Sequence, residues 1–421
     1  MCDPRVSPKT SSAKPALLII AEKPPELYSP AGERVRHMAL AATSFFSKVV
    51  VLSSGTPDKR SKREVHAKAL SHKTSVVRSI PYPISALFDP IKLLAFLIRG
   101  LALSIRYKPS HIIASMPPVE TGASAWCLSR LLRKKLVIDY MDDWEASMRT
   151  QLTRYIPSYL MIPVWKLANL IYSFSTTIFV VTPTLAKAIQ QRGSNASIVL
   201  VPNGADLAIF HCRDEKARRQ TRLKHKLNPR KNVLVYCGSA NPYYRLDLVL
   251  LAAKSLPDYA KEKLSFVFFL YTGLEYSRRL KSLLEIPDEL VEIREPLPRK
   301  DLSEVMAACD VGLVPFSDEL FLTYAMSTKL YEYLSVGLYV ISSGPEEGEL
   351  QSFFTRNPSC GVFVQPTVRN FVRIFSEVLD DGVFEGVSSS SRHSFIARNY
   401  DARKIMINAM ESLSDPRGGS E

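Results

Sequence analysis

Four stretches of this 421-residue chain set polar or charged side chains directly behind short β-branched runs. Open parallel sheets bind their ligands there, beyond the carboxyl ends of the strands. In YAMSTKLYEYLSVGLYVISSG, residues 324–344, Ser327 or Thr328 suits a helix N-cap, Lys329 falls in the first turn and Glu332 one turn on. Free N–H groups at a helix start carry about half a positive charge and suit a phosphate, and Lys329 adds a full charge. Glu332 can accept two hydrogen bonds from a ribose diol, each worth about 1.5–3 kcal/mol to a carboxylate. A capped amphipathic helix with a surface Lys and Glu fits the same letters.

The other three stretches are less specific. In VLVYCGSANPYYRLDLVLLAAKSL, residues 233–256, Gly238 follows the strand, where a missing Cβ lets a ligand approach the backbone. Arg245 near the next helix start can neutralise a diphosphate, or be an ordinary surface arginine of a βα loop. In LVIDYMDDWEAS, residues 136–147, Asp139, Asp142 and Asp143 cluster at a strand end and can position a sugar hydroxyl, hold a metal or cap the next helix. In VLVPNGADLAIF, residues 199–210, Asn203-Gly204 makes a tight turn before Asp206 and Phe210, which can be mere punctuation.

These groups need a scaffold, and composition bounds it. A chain 46% hydrophobic and 23% charged is neither disordered nor a collagen nor a small disulfide scaffold, and its length suits two or three domains. Mean hydropathy near zero argues against a polytopic membrane protein. The net charge of +14 is one-sided: residues 1–200 hold 27 Lys/Arg against 12 Asp/Glu, the remainder 28 against 29. The first half therefore suits an anionic partner (acidic lipid headgroups, a phosphorylated acceptor or nucleic acid), or carries ordinary solubility charge. The six cysteines, at 2, 127, 212, 237, 309 and 360, form no C-x-x-C and no zinc spacing, so they read as core residues in a reducing compartment. Seven scattered histidines give no metal site. No secretory leader is expected, since residues 1–14 are polar and LLII at 17–20 opens repeating structure. Leu93–Ile105 is too short for a membrane span of about 20 residues, and Tyr155–Val181 contains Lys166, Asn169 and two prolines and reads as a core helix leading into a strand.

The remaining pattern alternates strands and helices. Strands are expected at 16–20, 49–53, 112–115, 136–140, 177–181 and 198–201, with helices at 33–47, 119–133, 158–173 and 184–192, a Leu-rich helix after Asp89 and a basic loop at 56–80. Residues 211–231, with nine Lys/Arg and two acids, read as an exposed linker or helix. A second series follows, with strands at 232–236, 264–271, 291–294, 311–315, 339–342 and 362–364. Helices are expected between them, then at 367–379 and 388–413. Two such series predict an α/β protein of two Rossmann-like doubly wound domains facing across a cleft. The expected division is a disordered tail 1–14, a first domain 15–205, a basic linker 206–231 and a second domain 232–399.

The order VLVPNGADLAIF, VYCGSANPYYRLDLVLLAA, LSEVMAACDVGLVPF, STKLYEYLSVGLYVISS and CGVFVQP, preceded by IASMPPVETGASAW and VIDYMDDWEAS, resembles the retaining, nucleotide-sugar-dependent glycosyltransferases of the GT-B fold, nearest family 4. The resemblance covers about residues 16–413. It implies a donor held by the carboxyl-terminal domain, an acceptor on the amino-terminal one, and a last helix near 400–413 crossing back. It places Glu332 on the ribose diol, and Ser327, Thr328, Lys329 and Leu330 where phosphates or sugar are approached. Gly238, Ser239 and Arg245 fall beside the diphosphate, and Gly32 and Arg34 in the first-strand loop against donor or acceptor.

The chain departs from the family pattern at several positions. Tyr324 stands where a second glutamate commonly touches the donor sugar, Ser239 where an arginine is usual, Tyr244-Arg245 where a Lys-Gly is usual, and Gly32 lacks its usual glycine partner. Charge neutralisation then falls to Arg245 and Lys329, with Asp142 or Asp143 orienting the reacting sugar. The implied reaction is glycosyl transfer with retention, needing no cofactor and no metal, to a glycan or lipid-linked acceptor. The segment KRSKREVHAKALSHKTSVVR, 59–78, together with 93–105, suits peripheral attachment to the anionic cytoplasmic face of a membrane. The rival readings are a GT-B epimerase or phosphorylase, a catalytically silent GT-B subunit, and a basic nucleic-acid-binding protein. The last lacks any helix-turn-helix, zinc or RNP-like signature, so no nucleic-acid partner is expected.

Overall fold

The computed structural model describes residues 14–25, 29–54, 74–78, 89–152, 157–379 and 389–414. The expected tail, except for Lys14, and residues 59–73 of the basic run lie outside them. Seven strands build the first sheet: β1 (Ala16–Ala21), β2 (Lys48–Ser53), β3 (Thr74–Arg78), β4 (Pro109–Met116), β5 (Lys135–Tyr140), β6 (Thr177–Val180) and β7 (Ser197–Leu200). Six build the second: β8 (Asn232–Ser239), β9 (Leu264–Thr272), β10 (Val291–Arg294), β11 (Val311–Pro315), β12 (Tyr339–Ser343) and β13 (Gly361–Val364). Their orders are β3-β2-β1-β4-β5-β6-β7 and β10-β9-β8-β11-β12-β13, and every pairing within them is parallel.

Strands covered on both faces must be apolar throughout, and β1 is an unbroken ALLIIA. Alternate residues serve opposite layers. Leu18 and Ile20 pack with Phe96, Leu128, Ile171 and Leu185 from helices on one side. Leu17 and Ile19 pack with Val35 and Met38 of the helix Pro30–Ala42 on the other. The second sheet repeats this two-sided arrangement. In each sheet the strand order reverses beside the first-entered strand, at β1/β4 and at β8/β11, which opens a crevice at the strand ends.

Some elements differ from the expected ones. Within the expected basic loop 56–80, Thr74–Arg78 pairs with β2 as an edge strand, its basic character having masked a short β run. In the 211–231 segment the helical alternative is the one found: Glu215–Lys224 is capped by Asp214 and pinned by Arg218 and Arg222 to Asp310 at 2.9 and 2.6 Å. The expected single helix 388–413 is two, Ser389–Asn399 and Ala402–Ser414. The break follows from tertiary pairing: Ala205 N–H donates to Tyr400 O and Ala402 N–H to Ala205 O, both at 3.0 Å. The last helix lays Met406, Ala409, Met410 and Leu413 against the first sheet's core, so the chain does cross back. Among the described residues no helix is long and apolar enough to cross a membrane.

Candidate functional site

The helix Thr328–Ser335 begins beside the end of β8, and Ser327 occupies its N-cap position without its hydroxyl closing the cap. Leu330, Tyr331 and Leu334 are buried and fix the helix against the second sheet. Lys329 and Glu332, three apart, therefore share a face. The Lys329 ammonium lies 3.9 Å from the ring centre of Tyr244 and 5.3 Å from that of Tyr236. Gly238 makes this possible, because a Cβ there would stand 2.3 Å from Lys329 Cε and 2.9 Å from its Nζ. Burial lowers the Lys329 pKa to about 8, against the pull of Tyr243 and Glu332. Ser239, half-buried, accepts a hydrogen bond from the Tyr236 hydroxyl at its carbonyl, 2.6 Å away.

Glu332 is pushed up to about 7 by burial, with Arg299 pulling it down and Glu33 adding to the rise. Arg299 opens the helix Arg299–Ala308 behind β10 and spans two carboxylates, Glu332 at 3.5 Å and Glu33 at 2.5 Å. Glu33 belongs to the first turn of the helix Pro30–Ala42, so this bridge ties the two sheets' crevices together. Arg36 joins Glu33 to Asp206 at 2.9 and 2.6 Å. Burial would raise the carboxyls of Glu33 and Asp206, but Arg299 and Arg36 outweigh it at both, joined at Asp206 by His37, and hold them low. Glu33, His37 and Asp206 offer ligand atoms within 4.8 Å of one another. A divalent cation there would meet two guanidiniums already paired with those carboxylates, so the cluster is built as an ion-pair network.

Several residues singled out in the sequence do other work. Arg245 places its guanidinium on Asp247 through bonds of 2.9 and 2.8 Å, so its charge is already partnered. Arg34 is buried: its Nε and Nη2 grip Asp139 at 3.0 and 2.7 Å, and Nη2 also reaches Val201 O at 2.9 Å. It braces β5 and the chain after β7. Gly32 is not in an open loop but in a helical first turn, its N–H taken by Ser29 Oγ at 3.1 Å. Asp143 caps Ala146 N–H at 3.2 Å and pairs with Arg192 at 2.7 Å under the surface. Asp142 lies in the loop after β5, where burial followed by Asp143 lifts its pKa to about 6, and burial followed by Asp142 raises the Tyr244 hydroxyl. Tyr324 packs against the first sheet's core and its carbonyl accepts from Thr182 Oγ1 at 3.2 Å, so it seals the seam between the sheets.

The sequence reading missed Arg299, Glu33 and His37. The strand-end rule that found Gly238 and Lys329 applies equally to β10, whose following loop ends at Arg299. Glu33 and His37 stand four apart on one helix, a spacing that places them on one face.

A search of the curated proteins finds no match to the chain. Among solved structures it is similar to the sucrose-phosphate synthase of Thermosynechococcus elongatus, with TM-score 0.75 and 14% identity over 95% of this chain and 98% of that one. It is similar to Anabaena Alr3699/HepE, solved in complex with UDP-glucose, with TM-score 0.68 and 14% identity over 94% and 99%. It is also similar to WaaG, a glycosyltransferase involved in lipopolysaccharide biosynthesis, with TM-score 0.69 and 13% identity over 95% and 99%. Residues 217–401 match the family described as Glycosyl transferases group 1. The chain thus has the two-domain GT-B fold, with a group 1 glycosyltransferase pattern in its carboxyl-terminal domain.

Proposed function

We propose that the protein transfers a glycosyl group from a nucleotide-sugar to a hydroxyl of a glycan or lipid-linked acceptor, with retention of configuration and without a metal or cofactor. The observation that carries this reading is the pairing of Lys329 and Glu332 on one helix face at the β8/β11 crevice, over a glycine. A diphosphate fits against Gly238, the start of Thr328–Ser335 and the Lys329 ammonium. The ribose diol donates to Glu332, which Arg299 orients. In the reaction the bond between the sugar carbon and the phosphate oxygen breaks, and a bond from that carbon to the acceptor oxygen forms. The acceptor proton goes to a phosphate oxygen. Charge gathers on the leaving diphosphate, where a fixed cation and a helix N-terminus stabilise it. Asp142, in the loop after β5, is assigned to a sugar hydroxyl. With Arg245 committed to Asp247, the diphosphate relies on Lys329.

The testing experiment is calorimetric titration with UDP, GDP, ADP and their sugars, with and without chelator. Glu332→Gln should weaken donor binding by about 10- to 100-fold, since hydrogen bonds to a carboxylate are worth about 1.5–3 kcal/mol. Unchanged affinity would remove the ribose role.

The pH dependence has a definite sign. Below about 7 Glu332 takes up a proton and accepts less well, and above about 8 Lys329 loses its charge. The kcat/KM profile of the free enzyme should therefore be a narrow bell between these values. In Lys329→Arg the falling limb should vanish while the rising limb stays. A flat profile from pH 6 to about 9 would contradict both assignments.

A further inference from the structure

We propose that the outer face of the first domain, formed by the helices Pro90–Tyr107, Val119–Leu132 and Ile162–Ser173, docks on an anionic lipid bilayer. The helix Pro90–Tyr107 already has an inward face, Lys92, Phe96, Gly100 and Ser104, all buried. Its opposite side carries a second stripe, Ile91, Leu94, Ile98 and Ile105, which are 61, 56, 61 and 64% exposed. A surface helix normally turns polar residues to water, so a helix apolar on both sides lacks a partner for one of them.

The neighbouring helices continue the patch. Leu131 ends the second helix exposed, Tyr159 and Leu160 precede the third exposed, and Phe174 follows it under the Arg130 guanidinium at 4.9 Å. All three helices cover the same side of the first sheet.

Charge identifies the occupant. Arg99, Arg106, Lys108, Arg130, Arg133, Lys135 and Lys166 are exposed on or at the ends of these elements. Across residues 89–135 and 157–176 the acidic side chains are Asp89, half-buried and capping the first helix, and Glu120, which is buried. A face with exposed aliphatics, long flexible cations and no exposed carboxylate matches an acyl boundary under acidic headgroups, where Lys and Arg stems lie along the apolar surface and their heads reach phosphate. The proposal stands on this face alone and not on the donor site.

The test uses the full chain and co-sedimentation with vesicles of phosphatidylcholine alone or mixed with phosphatidylglycerol. Wild type should bind the mixed vesicles at least about tenfold better than the neutral ones, and release in high salt. Replacing Ile91, Ile98 and Ile105 together by Ser should reduce that binding about tenfold or more, while nucleotide binding by calorimetry stays unchanged and reports the intact fold. Equal binding to both vesicle types, or undiminished binding by the triple variant, would overturn the proposal. So would a wild-type dimer in sedimentation that the same variant dissociates, because the face would then be an interface between two copies.

Discussion

Replacing Lys329 with methionine is expected to lower the transfer rate about 100- to 1,000-fold, the loss typical when one preorganised charge-stabilising group is removed from a reacting centre. Methionine keeps an unbranched stem between Tyr244 and Gly238 and removes only the ammonium. The neighbouring arginines described at the site are engaged elsewhere. Arg245 is bonded to Asp247, and Arg299 is spread over Glu33 and Glu332. Because the charge matters most as the diphosphate leaves, kcat should fall more than donor affinity. The measurement is steady-state transfer and donor titration on the same variant. A kcat within about threefold of wild type would show that leaving-group charge is met elsewhere.

Replacing Arg34 with methionine is expected to destabilise the fold by about 3–5 kcal/mol, the cost of leaving a buried charge unpaired. Asp139 is fully buried at the end of β5, and Arg34 supplies it with three guanidinium hydrogen bonds of 2.7–3.0 Å. The same side chain satisfies Val201 O at 2.9 Å. Chemical denaturation should show the loss as a lowered midpoint with an unchanged slope. The double variant Arg34→Met, Asp139→Leu should recover most of it, since removing both charges removes the desolvation penalty. If the double variant is as unstable as the single one, the backbone contacts of Arg34 carry the stability instead.

The periodicity of the chain made the architecture legible. A run such as ALLIIA is apolar on both faces, which suits a sheet with helices on each side. Lys329 and Glu332 were legible for the same local reason, since three residues on a helix put two side chains together. What was not legible depends on contacts far apart in sequence. Nothing in the letters around Arg34 or Asp143 shows that partners 105 and 49 residues away take up their charges. Tyr324 is turned into the seam by the opposite domain's core, and the break at Tyr400 is made by Ala205. Arg299 was hidden differently: it follows an ordinary βα loop, and its importance arises only where Glu33 of the other crevice meets it.

The chain passes between the lobes twice, and the two passages are stitched together where Ala205 exchanges backbone hydrogen bonds with Tyr400 and Ala402. The two crossings thereby gather the main-chain ties between the lobes at one place. The Glu33–Arg299–Glu332 chain is a second tie between the lobes, made by side chains alone. Parting the lobes there would cost Arg299 its pairing with Glu33 of the first lobe or with Glu332 of its own.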